Sequence, residues 1–238
     1  MPESVLKRYK LYINGLDEKI ENGIPKGHIV LLCGASGSMK SYVALNILYN
    51  HAKQNKTTGV YLSLEEGRHL IERRMAKMGM IYEEVAKDLF LIDLGYLRKE
   101  VKDAEILGIG WMQAIETQIR HFRENFGNEL LVIDSINALY SITTFRNPRD
   151  ELFHFFENLR SMDLTVFLIS EMPPTEVRFS HYGVEDFLSD GIIHLDLRRV
   201  DINVNLYIGV VKMRDTKHER KYFPLIVSKD NKFEIVVK

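Results

Sequence analysis

Apolar runs recur along the chain at short intervals, separated by segments in which apolar residues return every three or four positions. The runs Ile29–Cys33, Gly59–Ser63, Leu89–Leu94, Leu130–Asp134, Thr165–Ser170 and Gly191–Asp196 are rich in Ile, Val and Leu. Such runs alternating with helical period predict an α/β fold, with a mostly parallel central sheet covered by helices on both faces. Three later runs, Asn205–Lys212, Tyr222–Val227 and Lys232–Val237, have no helix between them. Tight connections join only antiparallel neighbours, so these predict a C-terminal antiparallel extension.

Two helices are legible in detail. Between Trp111 and Phe126, the residues Met112, Ile115, Ile119, Phe122 and Phe126 step by three and four, and Gly127 follows as a stop. Asn147, Pro148, Asp150 and Glu151 read as a cap, a first-turn proline and first-turn acids, opening a helix with Leu152, Phe153, Phe156 and Leu159 inward. Both stripes read as core rather than as binding surface. Arg98–Gly110 and Arg178–Asp186 lack periodicity and are expected to be mobile connections.

Composition narrows the class. At 238 residues without a composition break, the chain is expected to form one domain over 1–238. Its 32 basic and 33 acidic residues leave a formal charge of −1, which gives no global attraction to nucleic acid or anionic membrane. The single cysteine, Cys33, lies in an apolar run and reads as a buried structural thiol. Met1 to Lys10 has no apolar signal core and no later run approaches spanning length, so no membrane insertion and a cytoplasmic location are expected.

The candidate chemistry begins after the first apolar run. Gly34-Ala35-Ser36-Gly37-Ser38-Met39-Lys40-Ser41 nearly spells the phosphate-binding loop G-x-x-x-x-G-K-[ST], with Met39 in place of the second glycine. In such a loop, backbone N–H groups cradle phosphates at a helix N-terminus, Lys40 reaches the β and γ oxygens, and Ser41 ligates Mg²⁺. Leu130-Leu131-Val132-Ile133-Asp134 is an apolar strand ending in aspartate, and Asp134 suits the Mg²⁺ shell. Glu65 and Glu66 follow a strand at the edge where open α/β sheets collect ligands; either can orient an attacking water, and compensation of a helix dipole is the competing explanation. Ser170, ending another strand, is placed to sense a γ-phosphate or simply to cap the strand.

These motifs occur in an order that resembles the KaiC-like branch of the RecA/RadA superfamily over nearly the whole chain. Asn14-Gly15-Leu16-Asp17 and Asn22-Gly23-Ile24-Pro25-Lys26-Gly27 resemble that family's lead-in to the loop. Glu65-Glu66, Ile133-Asp134-Ser135, Ser170-Glu171, Tyr182-Gly183-Val184 with Asp190-Gly191, and Lys212-Met213-Arg214 resemble its later motifs. The resemblance implies a RecA-type ATPase core that binds ATP or ADP with Mg²⁺ and forms a homo-oligomer with head-to-tail contacts, usually a hexameric ring. It also implies that Lys212 and Arg214 point into the neighbour's site as trans fingers.

Three positions depart from the family pattern: Met39, Asn22 for the first glycine of the lead-in pair, and Asp215 where glycine usually follows Arg214. A side chain at position 39 is expected to intrude on the phosphate path or open the loop, a loss of roughly 3 kcal/mol or about a hundredfold in affinity. Methionine should also favour a helix that starts earlier. Asp215 is expected to neutralise Arg214 in part. The leading expectation is a nucleotide-binding protein with weak or slow ATP hydrolysis, regulatory through nucleotide-dependent assembly. A pseudo-ATPase interaction module for a protein or peptide partner is the alternative. A DNA-binding recombinase relative, stacking bases on Tyr182, is the lesser one; the near-zero charge argues against DNA.

Overall fold

A computed structural model describes residues 7–94, 110–143, 145–172 and 178–237. In chain order the elements are β1 (Arg8–Tyr9), β2 (Ile24–Pro25), β3 (Ile29–Gly34), α1 (Lys40–Asn55), β4 (Gly59–Ser63), α2 (Arg68–Lys77), β5 (Leu89–Asp93) and α3 (Trp111–Phe126). They continue with β6 (Leu130–Asp134), α4 (Ile136–Ile142), α5 (Pro148–Ser161), β7 (Thr165–Glu171), α6 (Glu185–Leu188), β8 (Gly191–Val200), β9 (Asn203–Met213), β10 (Tyr222–Val227) and β11 (Phe233–Ile235). Short 3₁₀ turns cover Asp17–Ile20 and Tyr82–Glu84.

Nine strands form one sheet in the order β11-β10-β9-β8-β3-β7-β6-β4-β5. The six from β8 to β5 are parallel, and β9, β10 and β11 continue antiparallel, the extension that the helix-free C-terminal segment predicts. Register brings the carboxyl ends of four strands to one edge: Gly34 lies opposite Glu171, and Ser63 opposite Asp134.

Because successive strand residues point to opposite faces, β3 feeds both cores. Val30 and Leu32 join α1, α2 and the antiparallel strands, whereas Ile29, Leu31 and Cys33 join α3, α4 and α5. Cys33 is fully buried, and burial pushes its thiol pKa up. The lead-in wraps onto α1, fixed by the buried Asp17 carboxylate, which accepts from the N–H groups of Leu11 at 2.7 Å and Tyr12 at 3.0 Å.

Three local expectations need correction. Phe153 is not inward: it is 47% exposed, and Phe155 takes its place at 1% beside Leu152, Phe156 and Leu159. Positions 152, 155, 156 and 159 share a helical stripe, and 153 lies about 100° around from it. Asn147 precedes α5 but its side chain makes no cap bond to the helix; Glu151 reaches back instead, accepting from Arg146 N at 2.8 Å and Asn147 N at 3.0 Å. Arg178–Asp186 is a hydrogen-bonded turn rather than a free connection, with the Asp186 carboxylate accepting from Phe179 N at 3.2 Å and Ser180 Oγ at 2.5 Å. Positions 98–109 lie outside the described residues.

Candidate functional site

The strand-end edge opens into a cavity of about 230 Å³ lined by Ser36, Gly37, Ser38, Met39, Lys40 and Ser41 of the loop. Tyr42, Glu65, Arg74, Asp134, Ser135 and Glu171 also line it.

Lys40, the first residue of α1, folds over the loop and donates from Nζ to the carbonyls of Gly34 at 3.0 Å and Ala35 at 2.9 Å. Burial pushes its pKa down, opposed by the carboxylates of Glu171 and Asp134. One residue on, Ser41 Oγ donates to Asp134 Oδ2 at 2.7 Å, joining the loop to β6. Tyr61 of β4 donates its hydroxyl to the same carboxylate oxygen, and burial, reinforced by Asp134, holds that phenol in its neutral donor form.

Glu65 owes its direction to Ser63. The Ser63 hydroxyl accepts from Glu66 N at 2.9 Å and donates to Glu66 O at 2.8 Å, closing the turn between β4 and α2. Neighbouring residues in that turn diverge: Glu65 lines the cavity, and Glu66 turns outward onto Arg74 of α2, whose Nη2 donates to Oε1 at 2.6 Å. Ser170 is fully buried on β7 and is not in the cavity wall; its Oγ has no partner among the described residues, and the same holds for Ser38 Oγ.

Met39 overturns one expectation. The helix does not start early: α1 begins at Lys40, and Met39 stands before it in the left-handed region at φ 65°, ψ 18°. Position 34 is equally committed, because a Cβ there would lie 2.2 Å from Leu195 O. The loop is held by its neighbours, with Lys40 across its carbonyls and Ser38 N donating to Ala35 O at 3.2 Å. These contacts outweigh methionine's helical preference, and the Met39 side chain packs against the core beneath α1 while also lining the cavity. Asn22 and Asp215, the other two departures, also keep positive φ, at 64° and 52°.

Comparison with known proteins gives the family of the chain as a whole. The family model described as "ATPase: KaiC" matches residues 9–238. The chain belongs to this KaiC family. A UPF0273 protein of Pyrobaculum aerophilum is 33% identical over 243 residues, covering 96% of this chain and 82% of its own length. The circadian clock protein KaiC2 of Synechocystis is 27% identical over 220 residues; the match covers 92% of this chain but only 38% of that longer protein. Among solved structures, a KaiC-like protein of Pyrococcus horikoshii superposes with a TM-score of 0.83 at 28% identity, covering 98% of this chain and all, 100%, of that one.

In this KaiC-family chain, Lys212 and Arg214 lie away from the loop cavity. Lys212 Nζ donates to the carbonyls of Asp186 at 2.8 Å and Ser189 at 2.6 Å, at the end of α6. Arg214 Nη1 donates to Asp190 at 2.9 Å, so the carboxylate that neutralises it is Asp190 and not Asp215. Asp190 also accepts from Ile29 N at 3.0 Å, which ties this corner to the strand feeding the loop. Tyr182, the candidate stacking residue, packs edge-on against Tyr140 with ring centroids 4.8 Å apart. Among the described residues no helix is long and apolar enough to cross a membrane.

Sequence reasoning missed Tyr61 and Arg74. Tyr61 reads as one more apolar strand residue, and Arg74 as a solvated cation on a charged helix, Arg68-His69-Leu70-Ile71-Glu72-Arg73-Arg74. Neither belongs to a linear motif; the sheet order sets Tyr61 against Asp134, and the pitch of α2 brings Arg74 to the cavity.

Proposed function

We propose that this protein binds ATP or ADP with Mg²⁺ on the loop Gly34–Ser41, hydrolyses ATP slowly, and uses the bound nucleotide to regulate head-to-tail assembly with further copies of itself. The observation that carries the reading is Met39 itself: the backbone keeps a glycine-like left-handed turn there, so the phosphate-cradling shape outlives the glycine. Support also comes from the convergence of Lys40, Ser41, Asp134 and Glu65 on one cavity.

The donor set fits a hard cation, since Ser41 Oγ and Asp134 Oδ2 are oxygens 2.7 Å apart at the mouth of the loop. Ser41 would hold Mg²⁺ directly and Asp134 through water; the ion supplies charge neutralisation to the phosphates. Lys40 exchanges the carbonyls of Gly34 and Ala35 for phosphate oxygens, which are stronger acceptors of a charged donor. Glu65 orients water at the cavity wall. Lys212 and Arg214, outside the loop cavity, are the groups offered to a neighbour. Slow turnover follows from the thioether arm in the cavity and from Arg214 being engaged by Asp190.

Thermal unfolding with millimolar Mg²⁺-ATP, Mg²⁺-ADP or Mg²⁺ alone tests this, because a ligand bound only by the folded chain raises its stability by mass action. A rise specific to nucleotide is expected. No rise, with assembly indifferent to ATP, would replace the proposal with a pseudo-ATPase that presents the same surfaces to a protein partner.

A further inference from the structure

Helix α2 brings to the loop cavity a cation that the loop motif does not contain. Arg74 lines the cavity with Lys40, Ser41, Glu65 and Asp134. Its Nη2 is occupied by Glu66, and its guanidinium lies over the Tyr42 ring, 5.7 Å from the centroid. Its Nη1 is buried and has no acceptor among the described residues. A buried charged donor without an acceptor is costly, so the arrangement is one acceptor short. Burial opposes its charge and the carboxylates of Glu66 and Asp134 favour it, but Asp134 Oδ2 already accepts from two hydroxyls. The planar fork of a guanidinium matches a phosphate group, and a stacked, ion-paired arginine is already oriented for it.

We propose that Arg74 is a second cationic phosphate contact of the loop site, supplied in cis by α2 and positioned by Glu66. This rests on the nucleotide reading above and names which part of the nucleotide is read. Arg74 shares the cavity lining with Asp134 and with Glu65, the residue assigned to the attacking water, so its partner is the terminal phosphate of a nucleoside triphosphate. A diphosphate stops short of it. The contact also offsets what Met39 takes from the loop: a backbone cradle narrowed by a side chain is supplemented by a side-chain fork from α2.

Calorimetric titration of the full chain with Mg²⁺-ATP and Mg²⁺-ADP tests this in the wild type, Arg74→Gln, Arg74→Lys and Glu66→Gln, with ligand-free melting of each as a check on folding. Losing one charge-assisted contact predicts that Arg74→Gln weakens ATP by about tenfold or more and ADP by less than about threefold. Arg74→Lys should fall between, and Glu66→Gln, which loosens the guanidinium that Glu66 positions, should weaken ATP by less than Arg74→Gln does. Equal losses for ATP and ADP would mean that Arg74 only supports the fold, and an unchanged ATP affinity would remove it from the site; either overturns the inference. If Arg74→Gln does not fold, the other two variants decide, and unchanged ATP binding in both overturns it. A wild type that binds neither nucleotide sinks the nucleotide reading and this inference with it, whereas nucleotide binding indifferent to Arg74 sinks the inference alone.

Discussion

Replacing Met39 by glycine separates the strain of the loop from the obstruction of its cavity. Met39 stands at φ 65° in the free protein, a conformation that costs a residue with a β-carbon about 1–2 kcal/mol. Glycine removes that strain. It also raises the entropy of the unfolded chain, worth about 0.4–1 kcal/mol against the variant, and deletes a half-buried thioether arm that packs on the core, about 1 kcal/mol more. These contributions nearly cancel, so the unfolding free energy of Met39→Gly should stay within about 1 kcal/mol of the wild type. The effect on binding differs. Since the left-handed turn is already formed without ligand, no backbone strain is left to overcome when phosphate arrives, and only the arm in the cavity opposes it. The sequence-based figure of about a hundredfold then counts a cost the folded protein has already met; a gain of about tenfold in Mg²⁺-ATP affinity, or 1.4 kcal/mol, is expected. Urea unfolding and calorimetric titration read the two numbers separately. A variant less stable by more than about 2 kcal/mol would show that the methionine is not strained, and unchanged affinity would show that something other than its side chain closes the site.

Further expectations follow from the same geometry. His51 is buried between the rings of Tyr9 and Tyr12, donates from Nε2 to Lys10 O at 2.9 Å, and has no partner for Nδ1 among the described residues. Burial pulls its pKa from 6.5 down to about 4, so the unfolded chain takes up this proton first. Its contribution is complete above pH 6.5 and is lost as the pH falls to about 4, some 3 kcal/mol in all; urea midpoints across that range should flatten in His51→Asn, and parallel profiles would refute the assignment. Gly34→Ala places a Cβ 2.2 Å from Leu195 O and 2.6 Å from Ser38 Oγ, and should cost about 3 kcal/mol or more because the carbonyl belongs to a central strand; a loss under about 1 kcal/mol would show that the loop can shift away from β8. Lys212→Ala and Arg214→Ala should lower ATP turnover at least about tenfold with little change in nucleotide affinity if they act on a neighbour, and equal losses in both would place their role within their own chain.

The order of elements was legible because it is written in local pattern. Gly59–Ser63, Leu130–Asp134, Tyr222–Val227 and Trp111–Phe126 appear in the structure with the bounds their periodicity predicts. The parallel core and antiparallel tail follow from where helices intervene. The sequence likewise groups Lys40, Ser41 and Asp134, since chain order alone ties them to strand ends, and the structure brings them to one cavity. Directions of side chains at those ends were not legible: nothing in Glu65-Glu66 says which carboxylate faces the cavity until Ser63 closes the turn, and nothing in a charged helix singles out Arg74 until α2 crosses Tyr42.

Backbone conformation at the altered glycines was decided the same way. Met39, Asn22 and Asp215 each retain positive φ where a glycine is expected, and only asparagine and aspartate have some local tolerance for it. For Met39 the intrinsic preference is helical, and the sequence taken residue by residue predicts a longer α1. The tertiary structure reverses this because the strand-end glycine at 34, the Lys40 ammonium and the core under α1 fix the chain on either side of position 39. A preference worth a fraction of a kcal/mol per residue does not overcome several packed and hydrogen-bonded neighbours acting together. The sequence by itself determined the alternation of strands and helices and the placing of Lys40, Ser41, Glu65 and Asp134 at strand ends, because both are local in the chain; the packed structure alone decided the strand order, the shape of the loop, and that Arg74 and not Ser170 faces the cavity.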